Sequence, residues 1–115
     1  MKSKILALSK NEDFKSLLKK RKVSNKFVTI FFGKLLGKDT KKLNISFVTK
    51  KKIGNAVKRN KIRRKLKAIV QKLLKKRGAI NKDYTYIVFG KSNAYAQKHN
   101  VLLKLMEKSF SKLKK

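Results

Sequence analysis

Lys50-Lys51-Lys52-Ile53-Gly54-Asn55-Ala56-Val57-Lys58-Arg59-Asn60-Lys61-Ile62-Arg63-Arg64-Lys65 decides how this chain is read. Nine of these sixteen residues are Lys or Arg, and none is acidic. Gly54 and Asn55 interrupt the positive run, and a helical period begins after them. Ile62, Leu66, Ile69, Val70, Leu73 and Leu74 are spaced for one buried stripe, which predicts a helix over 55–77. Gly78 is its natural stop. Upstream, Leu43 to Thr49 reads as a strand, and downstream Tyr84 to Phe89 reads as another. Strand, helix and strand in that order predict a βαβ unit over 43–90, with its two strands parallel.

The rest of the chain is arranged around that unit. Phe27 to Phe32 is rich in β-formers and predicts a strand. It is close enough in sequence to 43–49 to pair with it antiparallel. Residues 33–42 form a basic connection, in which Leu35 and Leu36 could extend a hairpin. Ser9-Lys10-Asn11-Glu12 has the capping-box pattern. A helix over 10–20 follows, with Phe14, Leu17 and Leu18 at i, i+3 and i+4. Residues 1–8 are expected to be a loose basic arm. Leu102, Met106, Phe110 and Leu113 carry a final helix over 99–113. The expectation is one domain over 1–115, with helices packed on one small mixed sheet.

Charge bounds the function. The 115 residues hold 35 basic and 5 acidic side chains, a formal net charge of +30. Self-repulsion on that scale destabilises a compact chain unless a polyanion binds it. The 41% hydrophobic content is enough for a core, so the chain is not a disordered basic tail. Nucleic acid is the obvious partner, bound with a steep salt dependence. A membrane surface is the lesser option, because the charge is spread along the whole chain. There is no cysteine, hence no disulfide and no cysteine zinc site. Residues 5–8 are too short an apolar run for a signal-peptide core, and the expected location is the cytoplasm.

The arginines sharpen the picture. Three of the five, Arg59, Arg63 and Arg64, lie in the quoted stretch. Arginine adds a planar, bidentate fork for phosphate to its charge. On a helix, Arg59, Asn60, Arg63, Arg64 and Lys67 fall within roughly 140° of one side, adjoining the apolar stripe. Asn60 adds a donor and an acceptor suited to a base edge or a 2′-hydroxyl. A run of charge on a helix is ordinarily a solvated face, but such faces mix signs, and residues 50–82 contain no acid.

Protein-based catalysis finds no support. Glu12, Asp13, Asp39, Asp83 and Glu107 are scattered, so no carboxylate pair stands out for acid–base or two-metal chemistry. His99 is the single histidine, and the glycines form no phosphate-cradling pattern. Most aromatics are expected in the core. Alternation divides the first predicted strand, with Val28, Ile30 and Phe32 on one face and Phe27, Thr29 and Phe31 on the other. An open apolar face beside a basic helix could hold single-stranded RNA by stacking and phosphate contact.

The string Lys51-Lys52-Ile53-Gly54-Asn55-Ala56-Val57-Lys58-Arg59-Asn60-Lys61-Ile62-Arg63-Arg64 resembles the signature of the protein subunit of bacterial ribonuclease P. That signature runs Lys-Lys-x-Gly-x-Ala-x-x-Arg-Asn-x-x-basic-Arg. The segment Leu8 to Phe14 is similar to the family's opening helix, and the likeness extends over residues 5–113. It implies an α/β two-layer sandwich with a small mixed sheet in the order αβββαβα, ribosomal S5 domain 2-like. A left-handed βαβ crossover is part of that fold, against the usual rule. It further implies an endoribonuclease whose chemistry resides in a catalytic RNA. That RNA cuts the 5′ leader from precursor tRNA with magnesium, and the protein binds the RNA and the leader. No protein partner is required, and no cofactor is expected on the protein itself.

By position, the resemblance makes Lys51, Lys52, Asn55, Lys58, Arg59, Asn60, Lys61, Arg63, Arg64 and Lys67 the residues facing the catalytic RNA. Phe14, Leu18, Val28, Ile30 and Val48 become the leader cleft. Two departures stand out. Lys61 occupies a place that is usually arginine, which keeps the charge and loses the fork. Leu18 and Ile30 stand where aromatics are common. The main rival reading is a structural RNA-binding protein such as a small ribosomal protein, which would not require the ordered motif after a strand. A stand-alone nuclease is a weaker rival, opposed by the missing acid–base constellation.

Overall fold

The computed structural model describes residues 5–6, 11–35, 42–76 and 80–112. In chain order the elements are β1 (Ile5–Leu6), α1 (Asn11–Leu18), β2 (Arg21–Ser24), β3 (Val28–Gly33), β4 (Leu43–Val48), α2 (Ala56–Leu74), β5 (Thr85–Gly90) and α3 (His99–Lys112). Short 3-10 turns at Lys51–Ile53 and Ser92–Ala94 lead into α2 and out of β5. The strands form one mixed sheet in the order β1-β4-β5-β3-β2. The expected βαβ unit is present, with β4 and β5 parallel and α2 connecting them.

Two expectations about the strands give way. β3 and β4 do not pair, because β5 lies between them, antiparallel to β3 and parallel to β4. Tyr86, Ile87 and Val88 explain the choice: all three are fully buried, so β5 is apolar on both faces and belongs at the centre of the sheet. Residues 5 and 6, expected in a loose arm, are instead strand and pair parallel with Leu43 and Asn44.

β2 is the strand the periodicity did not show, since Arg21-Lys22-Val23-Ser24 has one apolar residue. Asn25 creates it. Its side-chain oxygen accepts from the Phe27 and Val28 amides at 2.8 and 2.9 Å, turning the chain back on itself. Its amide donates to Ser109 Oγ at 2.9 Å, tying the turn to α3. The reversal lays residues 21–24 against 29–32.

The main core lies between the sheet and the pair α2 and α3. Ile62, Leu66, Ile69, Val70 and Leu73 of α2 are buried there, as predicted, with Leu102, Met106 and Phe110 of α3. Tyr86 meets Phe110 edge-to-face at 5.3 Å, and its hydroxyl donates to the Asn81 carbonyl at 2.7 Å. α2 ends at Leu74, with Lys75 as C-cap, before the predicted limit. The expected Ser9 cap, the Leu36 extension, the Gly78 stop and Leu113 fall outside the described residues. α1 packs on the other face of the sheet, where Leu17 and Ile87 are buried beside Phe14, Phe31, Leu35, Val48 and Phe89.

Candidate nucleic-acid interface

α1 covers only part of its face of the sheet. Beyond it, Leu18, Thr29, Phe31 and Phe89 floor a hollow of about 730 Å³, and Lys22, Lys50, Lys52 and Lys91 stand around it. Leu18 is 44% exposed, unlike its fully buried neighbour Leu17. Phe89 pairs with Thr29 and Phe31 with Ile87 in the β3–β5 register, so the two rings are diagonal neighbours, edge-to-face at 5.5 Å. Lys22 lies opposite Phe31 in the β2–β3 register, and its ammonium stands 5.8 Å from that ring. Lys91 Nζ donates to Ser24 Oγ and to the Asn25 carbonyl at 3.1 and 2.7 Å, joining the end of β5 to the β2–β3 turn. An apolar floor inside a cationic rim can stack bases while its edge takes phosphates.

Of the predicted cleft residues, Leu18 lines this hollow, while Phe14 and Val48 lie on the same face by the β4 edge. Val28 and Ile30 are a correction. They are 1% and 0% exposed and belong to the core shared with α2 and α3. Side chains alternate along β3, so the exposed face carries Thr29 and Phe31 instead. Sequence reasoning separated these two sets without choosing the right one. The signal was Thr29, the polar member that marks the set not packed under helices.

The basic motif is divided among three places. Lys50, Lys51 and Lys52 lead into and form the 3-10 turn, and Lys50 and Lys52 line the hollow. Gly54 has φ 159° and ψ −166°, a region in which glycine alone is at ease, and a Cβ there would stand 2.8 Å from Lys58 Cδ. Asn55 serves the fold first. It is the N-cap of α2, and its Oδ1 accepts from the Lys58 amide at 2.9 Å. No acid occupies the first turn of α2, so the positive end of its dipole adds to the lysine turn.

Along α2, Arg63, Arg64 and Lys67 line a depression beside β4. Arg63 donates from Nη1 to Thr49 Oγ1 at 3.3 Å and from Nη2 to Asn60 Oδ1, which fixes the plane of its fork. Arg59 Nε is buried without a hydrogen-bond partner. Lys58 and Lys61 lie on the opposite flank, against Tyr95. Next to them Lys65 Nζ donates to the carbonyls of Ala94, Tyr95 and Gln97 at 3.2, 2.8 and 2.7 Å. Burial, then the charge of Lys61, holds the Lys65 ammonium below the ordinary lysine pKa.

No catalytic constellation accompanies these surfaces among the described residues. No group of three or more His, Cys, Asp or Glu side chains there could hold a metal ion. Glu107 pairs with Lys76 at 2.6 Å on the surface between α2 and α3. No helix among the described residues is long and apolar enough to cross a membrane.

The comparisons with known proteins agree with the geometry. The family model described as Ribonuclease P matches residues 3–114. The ribonuclease P protein component of Mycoplasma capricolum subsp. capricolum is 30% identical over 107 residues, 93% of this chain and 94% of that one. The solved RNase P protein of Staphylococcus aureus superposes with a TM-score of 0.75 at 25% identity, covering 94% of each chain. The RNase P protein of Thermotoga maritima, at 19% identity, shares the fold with a TM-score of 0.75, covering 93% of this chain and 96% of that one. The chain belongs to the ribonuclease P protein family, the protein component of a tRNA-processing endoribonuclease.

Proposed function

We propose that this chain binds the catalytic RNA of ribonuclease P through α2 and the 5′ leader of precursor tRNA through the hollow beside α1. The observation that carries the reading is the hollow itself: Phe31 and Phe89 are open on the sheet, ringed by Lys22, Lys50, Lys52 and Lys91. A single-stranded leader can stack on these rings and set its phosphates on the rim. A duplex offers no free base faces to such a floor. Gly54 and the Asn55 cap start α2 at the edge of this hollow, so two RNA surfaces are joined by one rigid turn.

On α2, Asn60, Arg63, Arg64 and Lys67 face the catalytic RNA. The braced Arg63 fork is a donor whose natural acceptors are phosphate oxygens. No acid–base pair accompanies these surfaces among the described residues, and in this reading the phosphodiester is cut by the RNA with its own magnesium ions. The protein holds substrate and RNA together and neutralises phosphate, lowering the magnesium the reaction needs. Its place is the cytoplasm, where precursor tRNA is processed.

The test is reconstitution with the host's catalytic RNA, assaying 5′-leader removal from a precursor tRNA at low magnesium. Stimulation over RNA alone is the expected result. No stimulation, or cleavage by the protein without RNA, would overturn the reading.

A further inference from the structure

The short link between α1 and β2 opens a second cationic cleft, towards the far end of β3 from the hollow. Lys19, Lys20, Arg21 and Lys34 stand around it, Phe32, Gly33 and Tyr84 floor it, and its volume is about 550 Å³. The link is held in place. The Lys19 and Lys20 amides donate to the carbonyls of Ser16 and Leu17 at 3.2 and 3.0 Å, and Leu17 is fully buried. Gly33 has no side chain, so the Lys20 stem lies across the end of β3. Arg21 is opposite Phe32 in the β2–β3 register. Lys34 Nζ stands 5.9 Å from the centre of the Tyr84 ring, which meets Phe32 edge-to-face at 5.5 Å. All four cations are exposed and Tyr84 is half-buried, so the cleft is accessible.

Among the described residues no carboxylate forms an ion pair with any of these four side chains, Asp83 beside Tyr84 included. Glu12 lines the depression on the outer side of the link, with Lys15, and not the cleft. The C-terminal end of α1 offsets about half a unit of charge. The Tyr84 ring attracts one ammonium weakly. An anion with several charged groups close together fits four cations that converge on one aromatic floor. A phosphodiester strand spreads its charge, one phosphate per nucleotide. A polyphosphate carries its charges on adjacent phosphoryl groups, and the nucleoside it ends has a base to set against Tyr84.

The position of the cleft says where such a group comes from. β2 is the outermost strand on its side of the sheet. Successive residues along it point to opposite faces, so Lys22 and Phe31 belong to the hollow and Arg21 and Phe32 to the cleft. The two sites lie back to back at one free edge. A leader held in the hollow has its 3′ side joined to the tRNA, so the end free to cross that edge is the 5′ end. In a primary transcript that end carries a triphosphate.

We propose that Lys19, Lys20, Arg21, Lys34 and Tyr84 bind the 5′-triphosphate end of a precursor tRNA leader. The proposal rests on the reading of the hollow as the leader site. Arg21 supplies a bidentate fork, the three lysines supply point charges, and Tyr84 takes the terminal base. The cleft makes the protein sensitive to the history of its substrate. A leader still bearing its transcript end binds tighter than one already trimmed to a monophosphate or a hydroxyl. A free nucleoside triphosphate has the same chemistry, and the experiment separates the two sources.

The experiment measures the affinity of the reconstituted holoenzyme for precursor tRNAs with a graded series of leader lengths, each ending in triphosphate, monophosphate or hydroxyl. Once the leader is long enough to leave the hollow, the triphosphate form should bind about tenfold tighter than the hydroxyl form, as one charge-assisted hydrogen bond contributes. Shorter leaders should show no preference. Arg21→Gln with Lys34→Gln should abolish the preference. Lys104→Gln with Lys108→Gln, which removes the same charge from exposed positions on α3, should keep it. Phe89→Ala controls for the leader site and should weaken every leader-bearing substrate relative to the leaderless one. If it does so while the three ends bind alike, the cleft is refuted and the leader site stands. If it spares leader-bearing substrate, both fall. A preference lost equally in the α3 variant, or present at every leader length, is bulk attraction to charge and refutes the cleft. ATP is the probe for the second source. ATP bound by the parent and lost in the Arg21–Lys34 variant, with no end preference in the substrates, would give the cleft to a free nucleotide and overturn the proposal. Should that double variant fold poorly by circular dichroism, Lys34→Gln alone must reduce the preference.

Discussion

Gly90 is where α2 closes on β5, and Gly90→Ala tests it. A Cβ at this position would stand 2.6 Å from Ile62 Cγ2, 3.1 Å from Leu66 Cδ1 and 3.4 Å from Thr49 Cγ2. Carbon atoms pack at about 3.5–4.0 Å, so the Ile62 methyl must retreat by roughly 1 Å. Ile62 and Leu66 are fully buried and have no free space to turn into, so the start of α2 must lift from β5. Such overpacking costs about 1–3 kcal/mol. Restricting the unfolded chain returns about 0.4–1 kcal/mol. The net loss should be about 1–2 kcal/mol, a fall in Tm of roughly 4 °C per kcal/mol for a domain of this size. Urea denaturation should show a lower midpoint with an unchanged m-value.

Gly33→Ala is the matched control. Its Cβ would meet Lys20 Cδ, but Lys20 is an exposed, flexible side chain that can swing aside. The expected change is within about 0.5 kcal/mol. A Gly90→Ala protein as stable as the parent, or a Gly33→Ala protein equally damaged, would refute the claim that α2 closes on β5 through this glycine.

Phe89→Ala should weaken binding of leader-bearing precursor tRNA by about 1–3 kcal/mol and leave leaderless substrate unaffected; equal losses for both would misplace the leader. Asn55→Ala should cost about 1 kcal/mol of stability in urea titration, whereas Asn55→Asp should keep the cap. A full loss with Asp would show that Oδ1 is not what starts α2. Tyr86 has its pKa raised, first by burial and then by the neighbouring Tyr84. The unfolded state therefore gives up this proton first, and the contribution is intact below about pH 10 and lost as pH rises through the folded value. The stability difference between the parent and Tyr86→Phe should shift against the parent above pH 10, and a difference constant to pH 11 would contradict the buried phenol.

The parts of the fold legible in the sequence were those with strong period. The α2 stripe from Ile62 to Leu73 and the apolar run of β5 stated their own environment, and so did the βαβ order. β2 was hidden because its pairing depends on the Asn25 side chain, a turn signal with no apolar pattern behind it. The sheet order was hidden too, since chain proximity favours pairing β3 with β4, while burial on both faces puts β5 between them. For the site, the motif from Lys50 to Lys67 was visible as charge. Its division among a lysine turn, an arginine edge and a Tyr95 flank needed the helix in place. Val28 and Ile30 were misplaced because alternation names two faces and leaves open which one the helices cover.

The central claim is that the open sheet face takes the leader while α2 takes the catalytic RNA. A photo-crosslinking phenylalanine analogue at position 89, and another at position 60, test it in the reconstituted holoenzyme with precursor tRNA. Crosslinks from position 89 to the 5′ leader and from position 60 to the catalytic RNA are the predicted result. Crosslinks from position 89 to the catalytic RNA, or from position 60 to the leader, would contradict it.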